Sequence, residues 1–163
     1  MERTIKLSNR LKTIAGFIRQ GAAIADIGTD HGFLAVYLAQ TGLARRIIAS
    51  DISSGSLKSA RRSAEKYGVS DKITFIVADG LKGVCETDVD TIVIAGVGGE
   101  TIEGILKDVE WTKNGKWLIL QPQSKIDVLC RFLYESGYII HKTEFAQDKG
   151  RTYTVMLAKM DYA

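Results

Sequence analysis

The stretch AAIADIGTDHGFLAVYLAQ, residues 22–40, decides the reading of this 163-residue chain. AAIADIG at 22–28 is a short, nearly continuous apolar run that ends in an acidic residue and a glycine, as a strand buried on both faces does. The segment from about Phe33 to Gln40 has the length and the Leu and Ala content of a helix. Strand, glycine-bearing turn and helix make the first half of a βαβ unit.

The same rhythm extends in both directions. Upstream, Leu7, Leu11, Ile14 and Ile18 fall at helical spacing, with Ser8 as N-cap and Gly21 as the stop. Downstream come RIIASDI (46–52) before a basic helix at about 55–67, and ITFIVAD (73–79) before a loop through Cys85. TIVIAG (91–96) precedes a short helix around 100–107, and WLILQP (117–122) precedes a helix at about 125–136. The rhythm then breaks, because YIIHKTEFA (138–146) and RTYTVMLAKM (151–160) are joined only by QDKG, too short for a crossover helix. The two runs therefore form an antiparallel hairpin turning at Gly150. The expected fold is α/β, a seven-stranded, mostly parallel sheet with a C-terminal antiparallel hairpin and helices on both faces. It forms one domain over 1–163, with 1–21 as an N-terminal amphipathic helix.

With 45% hydrophobic and 25% charged residues, the composition excludes a largely disordered chain. No stretch nears the roughly 20 apolar residues of a membrane span. MERTIKLSNR is too charged for a signal-peptide core, so a cytoplasmic location is expected. Cys85 and Cys130 have no Cys or His at ligand spacing, so no disulfide framework or metal site is expected and both read as reduced fillers. The net charge of +3 is uneven: residues 1–20 and 42–68 carry +4 each, leaving −5 elsewhere. Such clusters suit either a phosphate backbone or a solvated helix face.

In an open parallel sheet, ligands bind outside the carboxyl ends of the strands, where strand order reverses. The first strand exits through Asp26-Ile27-Gly28-Thr29-Asp30-His31-Gly32. Gly28 and Gly32 allow close backbone approach, but Asp30 stands where a dinucleotide G-x-G-x-x-G has its middle glycine, and with Asp26 it would repel a pyrophosphate. The loop suits a ligand carrying a cation. Asp51 ends the second strand 23 residues after Gly28, the separation at which an acidic residue reaches ribose hydroxyls. Ala78-Asp79-Gly80 ends the third, offering an acceptor for an amino group and a glycine against which a flat ring lies. A helix N-cap accounts for any one of these aspartates; three in consecutive units point to a ligand. Ala95-Gly96-Val97-Gly98-Gly99-Glu100 reads as close backbone approach or as a mobile turn. Gln121-Pro122-Gln123 sets two amides beside a rigid kink, suited to reading base edges or to ending a strand.

These residues in this order resemble the class I S-adenosylmethionine-dependent methyltransferases, whose Rossmann-like seven-stranded sheet carries a terminal antiparallel hairpin. More narrowly, DIGTDHGFL at 26–34, SDISSGSL at 50–57, ADGL at 78–81, AGVGGETI at 95–102 and LQPQSK at 120–125 are similar to the bacterial TrmK family, over nearly the whole chain. The resemblance implies S-adenosyl-L-methionine as cofactor, S-adenosyl-L-homocysteine as product, and methylation of N1 of adenosine 22 in the D arm of tRNA. By it, Asp26, Gly28, Thr29, Asp30 and Gly32 hold the methionine portion, Asp51 and Ile52 the ribose, and Asp79 and Gly80 the adenine, with Ala95 and Gly96 completing the cofactor site. Gly98, Gly99, Gln121, Pro122 and Gln123 face the substrate. The family continues into a helical, coiled-coil-like extension that helps to hold tRNA, which this chain is expected to lack.

Adenine N1 has a free lone pair, so in-line attack on a sulfonium methyl needs no prior deprotonation and alignment supplies most of the catalysis. The target base must first be extruded from the folded RNA. The Asn-Pro-Pro-(Tyr/Phe) tetrapeptide associated with methylation of exocyclic amino groups is absent where AGVGG stands, which disfavours N6. Candidates at the reacting atoms are Asp30, whose carboxylate favours the positive charge of the product, and His31, either positioning the base or bonding locally within the loop. Arg10, Lys12 and Arg19 on the opening helix and Arg151 in the hairpin are candidate phosphate contacts. Arg61, Arg62 and Lys66 lie on the helix after the second strand, which need not face the active rim. A methyltransferase of a small molecule or protein, and a non-catalytic module for an adenosine ligand, are the competing readings.

Overall fold

The computed structural model describes residues 3–161. Five strands run parallel: β1 (Ala22–Ile27), β2 (Ala44–Asp51), β3 (Thr74–Val77), β4 (Thr91–Val97) and β5 (Trp117–Pro122). β6 (Tyr138–Asp148) and β7 (Arg151–Met160) form the expected antiparallel hairpin, and β7 docks antiparallel on β5. The order is β3-β2-β1-β4-β5-β7-β6, so the chain reverses direction across the sheet between β1 and β4.

The helices α1 (Asn9–Gly16), α2 (Phe33–Thr41), α3 (Ser54–Lys66), α4 (Gly99–Lys107) and α5 (Ile126–Ser136) cover both faces. β1 is buried along its whole length, and its side chains alternate between two core layers. Ile24 packs with Ile14 and Leu38 on the α1 and α2 side, while Ala25 and Ile27 pack with Ile102 and Leu129 on the α4 and α5 side. Val93 against Ile92 and Ile94, and Ile119 against Leu118 and Leu120, repeat the alternation in β4 and β5.

Some boundaries differ from those expected. The N-terminal helix has its Ser8 cap, whose side chain accepts from the Leu11 amide, but it ends at Gly16 instead of Gly21. Phe17 and Ile18 donate to Ile14 and Ala15, three residues back, and these tighter turns carry the chain out of the α-helix. β3 stops at Val77, two residues early, because the chain turns away at Gly80 with φ +58. β2 begins two residues earlier than expected, at Ala44. β6 runs on to Asp148, which pairs with Arg151, so the hairpin turn shrinks to Lys149 (φ 50) and Gly150 (φ 77). A two-residue turn with both φ angles positive has the twist that matches its flanking strands. Cys130 is half-buried as expected of a filler, whereas Cys85 is exposed beside Thr87. Residues 1 and 2 of the expected 1–21 helix, and 162 and 163 at the chain end, lie outside the described residues. Among the described residues no helix is long and apolar enough to cross a membrane.

Candidate active site

A cavity of about 510 Å³ opens at the carboxyl ends of the parallel strands, straddling the reversal between β1 and β4. Asp26, near the end of β1, lies in its floor and is only 5% exposed. Burial pushes its carboxyl up to about 6, against the opposing pull of a 3.0 Å hydrogen bond from the Thr29 hydroxyl and of the Arg10 charge.

The loop after β1 is lashed to β2. The amides of Gly28 and Thr29 donate to the Ser50 carbonyl at 2.8 and 3.0 Å. Asp30 adopts a left-handed backbone, φ 56, and its amide donates to Oδ2 of Asp51 at 3.1 Å. Oδ1 of Asp51 accepts from the Ser53 amide at 2.9 Å, so two backbone donors fix this carboxylate while each oxygen keeps a lone pair for a ligand. Next to it, Ile52 leaves 69% of its surface exposed at the mouth.

The opposite wall is built from an interaction that sequence spacing understates. Arg10 reaches in from α1 and donates to Oε1 of Gln121 at 3.0 Å, and the same oxygen accepts from the Gly96 amide at 3.1 Å. Nε2 of Gln121 donates to the Pro122 carbonyl and to Oε1 of Gln123. Gln121 is completely buried, so it holds the wall together and is not free to read a base edge. Pro122 is buried too, and of that trio only Gln123 lines the cavity.

His31 sits at the mouth. Its Nδ1 shares a 2.7 Å hydrogen bond with the Ser59 hydroxyl of α3, Nε2 lies 3.8 Å from Oδ1 of Asp30, and the ring stacks on Phe33 with centroids 5.4 Å apart. The first turns of α3 therefore do border the active rim.

Asp26, Gly28, Thr29, Asp30, Asp51, Ile52, Asp79, Gly80, Ala95 and Gly96, expected to face a cofactor, are brought together around one cavity. Gly32 and the pair Gly98 and Gly99 do not line it, and for Gly32 and Gly99 the geometry has a packing cause. A Cβ on Gly32 would lie 2.8 Å from that of Ala60, and one on Gly99 would strike the Lys125 carbonyl. A Cβ on Gly98 would meet only the Ser124 hydroxyl, at 3.0 Å, a side-chain end that can shift.

Of the expected phosphate contacts, Arg10 belongs to the cavity and Arg19 lies at the opposite rim, its guanidinium 4.3 Å over the ring of Trp117 at the start of β5. Lys12 and Arg151 are exposed away from the cavity. Leu11, Phe33, Thr101 and Ile105 also line it, although the sequence did not single them out as site residues. For Arg10 a signal was present: it stands three residues after Leu7 and four before Ile14, on the buried stripe of α1.

The sheet order, terminal hairpin and acidic rim define a methyltransferase domain, and the family of that description matches residues 7–156. The tRNA (adenine(22)-N(1))-methyltransferase of Bacillus subtilis is 36% identical over 156 residues, covering 95% of this chain and 66% of that protein. Its crystal structure, that of TrmK, aligns with a TM-score of 0.88 over 96% of this chain and 67% of the other. A Streptococcus pneumoniae protein solved in complex with S-adenosyl-L-methionine is 33% identical, with a TM-score of 0.90 over 97% and 76% of the two chains. M. capricolum TrmK bound to S-adenosyl-homocysteine is 28% identical, with a TM-score of 0.84 over 98% and 70%. The chain belongs to the TrmK family of tRNA (adenine(22)-N1)-methyltransferases, and it spans about two thirds of the length of these relatives.

Proposed function

We propose that this chain binds S-adenosyl-L-methionine in the cavity at the strand ends and transfers its methyl group to N1 of adenosine 22 of a tRNA, in the cytoplasm. The observation that carries the reading is the pair of aspartates closing β1 and β2 at the strand reversal. Asp26 is buried with its carboxyl raised to about 6, and a ligand ammonium beside it restores its charge. Asp51, held by two backbone amides, presents its remaining lone pairs to vicinal hydroxyls. The exposed side chain of Ile52 and the flank of Ile105 supply apolar surface for a flat ring, with Asp79 at its edge.

When bound, the cofactor supplies an electrophilic methyl on a sulfonium sulfur, which keeps the electron pair of the broken bond. The protein's part is alignment. Asp26, Thr29 and Asp51 fix the donor, and the Arg10–Gln121–Gly96 wall holds the backbone against which the acceptor base is presented. No base is required at N1, and Asp30 at the mouth stabilises the positive charge that moves onto the ring. His31, braced by Ser59 and Phe33, positions the base from the same side.

The test uses two transcripts of one tRNA, one with adenosine and one with guanosine at position 22. Methyl incorporation into the first alone is expected; equal incorporation into both contradicts the reading.

A further inference from the structure

Building on the reading of the chain as a tRNA methyltransferase, we propose that the exposed face of α3, carrying Lys58, Arg61, Arg62 and Lys66, is the docking track for the RNA strand that flanks the target adenosine.

The helix is attached to the mouth of the cavity. It begins at Ser53, which caps it by accepting from the Ser56 amide, two residues after Asp51. Ser59 holds His31, and Ala60 packs against the Gly32 backbone. From there the basic face runs away from the mouth, and Lys58 and Arg62, one helical turn apart, are separated by a rise of roughly 6 Å.

The charge on this face is available. All four cations are exposed, and among the described residues none makes an ion pair. Arg61 lies 4.7 Å over Phe75 and Lys66 5.5 Å over Tyr67, contacts that orient the side chains without neutralising them. By contrast, Arg45, Arg46, Lys82, Lys107 and Lys142 each face a carboxylate.

The unpaired cations of α3 stand beside the mouth, on the helix whose Ser59 holds His31. A base entering the cavity leaves its flanking phosphates outside, and past the exposed carboxylate of Asp30 the cations of α3 are the partners that offset its repulsion. Of the other cations near the mouth, Arg10 is engaged by Gln121 and Lys82 by Asp79 and Asp108, which leaves the single charge of Lys125, two residues beyond Gln123, against the row of four on α3. The occupant is a polyanionic strand and not a protein surface, because the exposed positions of α3 are Ser, Gly, Lys, Arg and one Glu, with no large apolar side chain.

The experiment compares the full chain with the double variant Lys58→Gln, Arg62→Gln. Gln keeps the helix propensity, and Arg61 stays on Phe75. A second double variant, Arg45→Gln, Arg46→Gln, removes the same charge at the opposite rim. The α3 variant is expected to flatten the dependence of log binding constant on log salt by about one to two units and to raise the KM for tRNA about five-fold or more, since a phosphate without its cationic partner keeps its condensed counterion. Its kcat at saturating tRNA and its affinity for S-adenosylhomocysteine stay unchanged, and the opposite-rim variant keeps the parent slope. An unchanged slope and KM in the α3 variant, with the parent active on tRNA, overturns the docking track alone. An equal loss in both variants overturns it too, by showing a dependence on total charge. A parent chain that neither binds nor methylates tRNA overturns the functional reading together with the track.

Discussion

Nη1 of Arg10 lies 3.0 Å from Oε1 of Gln121, and that bond ties α1 to the end of β5 across the wall of the cavity. The same oxygen holds the Gly96 amide, so one buried amide side chain joins three segments that are far apart in sequence. Gln121→Ala leaves the Arg10 guanidinium and the Gly96 amide without this acceptor, at a cost of about 1–3 kcal/mol. Thermal unfolding is expected to show that loss together with a weaker affinity for S-adenosylhomocysteine. A variant as stable as the parent would show that the wall does not depend on this bond.

Asp26 makes the pH dependence specific. Its carboxyl titrates at about 6 in the folded chain against 3.8 for the ordinary group, so the folded state holds the proton more tightly than the unfolded one. Ionising it as the pH rises from below 3.8 to above 6 therefore costs stability, about 3 kcal/mol in all from this group, of which about 2 kcal/mol falls between pH 4 and 6. Denaturant midpoints measured from pH 4 to 7 are expected to fall with pH in the parent relative to Asp26→Asn. Two parallel curves would contradict the burial argument.

The same group couples pH to ligand binding. Because the ligand ammonium pairs with an ionised Asp26, affinity for S-adenosylhomocysteine is expected to drop about ten-fold at pH 5, one unit below the point of half-protonation. Calorimetry at pH 5 and 7 checks this, and Asp26→Asn is expected to bind weakly at both.

Gly28 and Gly32 have nearly the same φ, +73 and +74, but different surroundings. Gly28 has open space where a Cβ would go, so Gly28→Ala costs about 1–2 kcal/mol of backbone strain and mainly disturbs the loop that holds the ligand. Gly32→Ala adds a 2.8 Å clash with Ala60 and is expected to cost about 1–3 kcal/mol more in overpacking. Unfolding free energies of the two variants test the ranking, and equal values contradict it.

His31→Ala is expected to lower the methylation rate at saturating cofactor more than it lowers affinity for S-adenosylhomocysteine, because the ring lies at the mouth and not in the floor. Unchanged turnover would leave His31 with a structural role, in its bond to Ser59 and its stack on Phe33.

Much of this was legible in the sequence. Runs such as AAIADI and WLILQP are apolar because both faces of the strand are covered, and that burial alone gives a parallel sheet wrapped by helices. Asp26, Asp51 and Asp79 were legible because strand ends at the reversal of an open sheet are where ligands sit. What was not legible depends on how elements dock. Periodicity marked the face of α1 but not the β5 glutamine that its arginine meets. Gly32 and Gly99 read as ligand glycines, whereas Ala60 and Lys125, distant in sequence, supply the packing that requires them. Likewise, nothing local in the α3 sequence reveals that Ser59 reaches the loop carrying His31.

The most direct measurement of the central claim is to incubate the chain with labelled S-adenosyl-L-methionine and an unmodified tRNA, digest the RNA, and identify the methylated nucleoside by mass spectrometry. The predicted product is 1-methyladenosine, at position 22 of the D arm. N6-methyladenosine, or no methyl in the RNA while S-adenosylhomocysteine still binds, would contradict it.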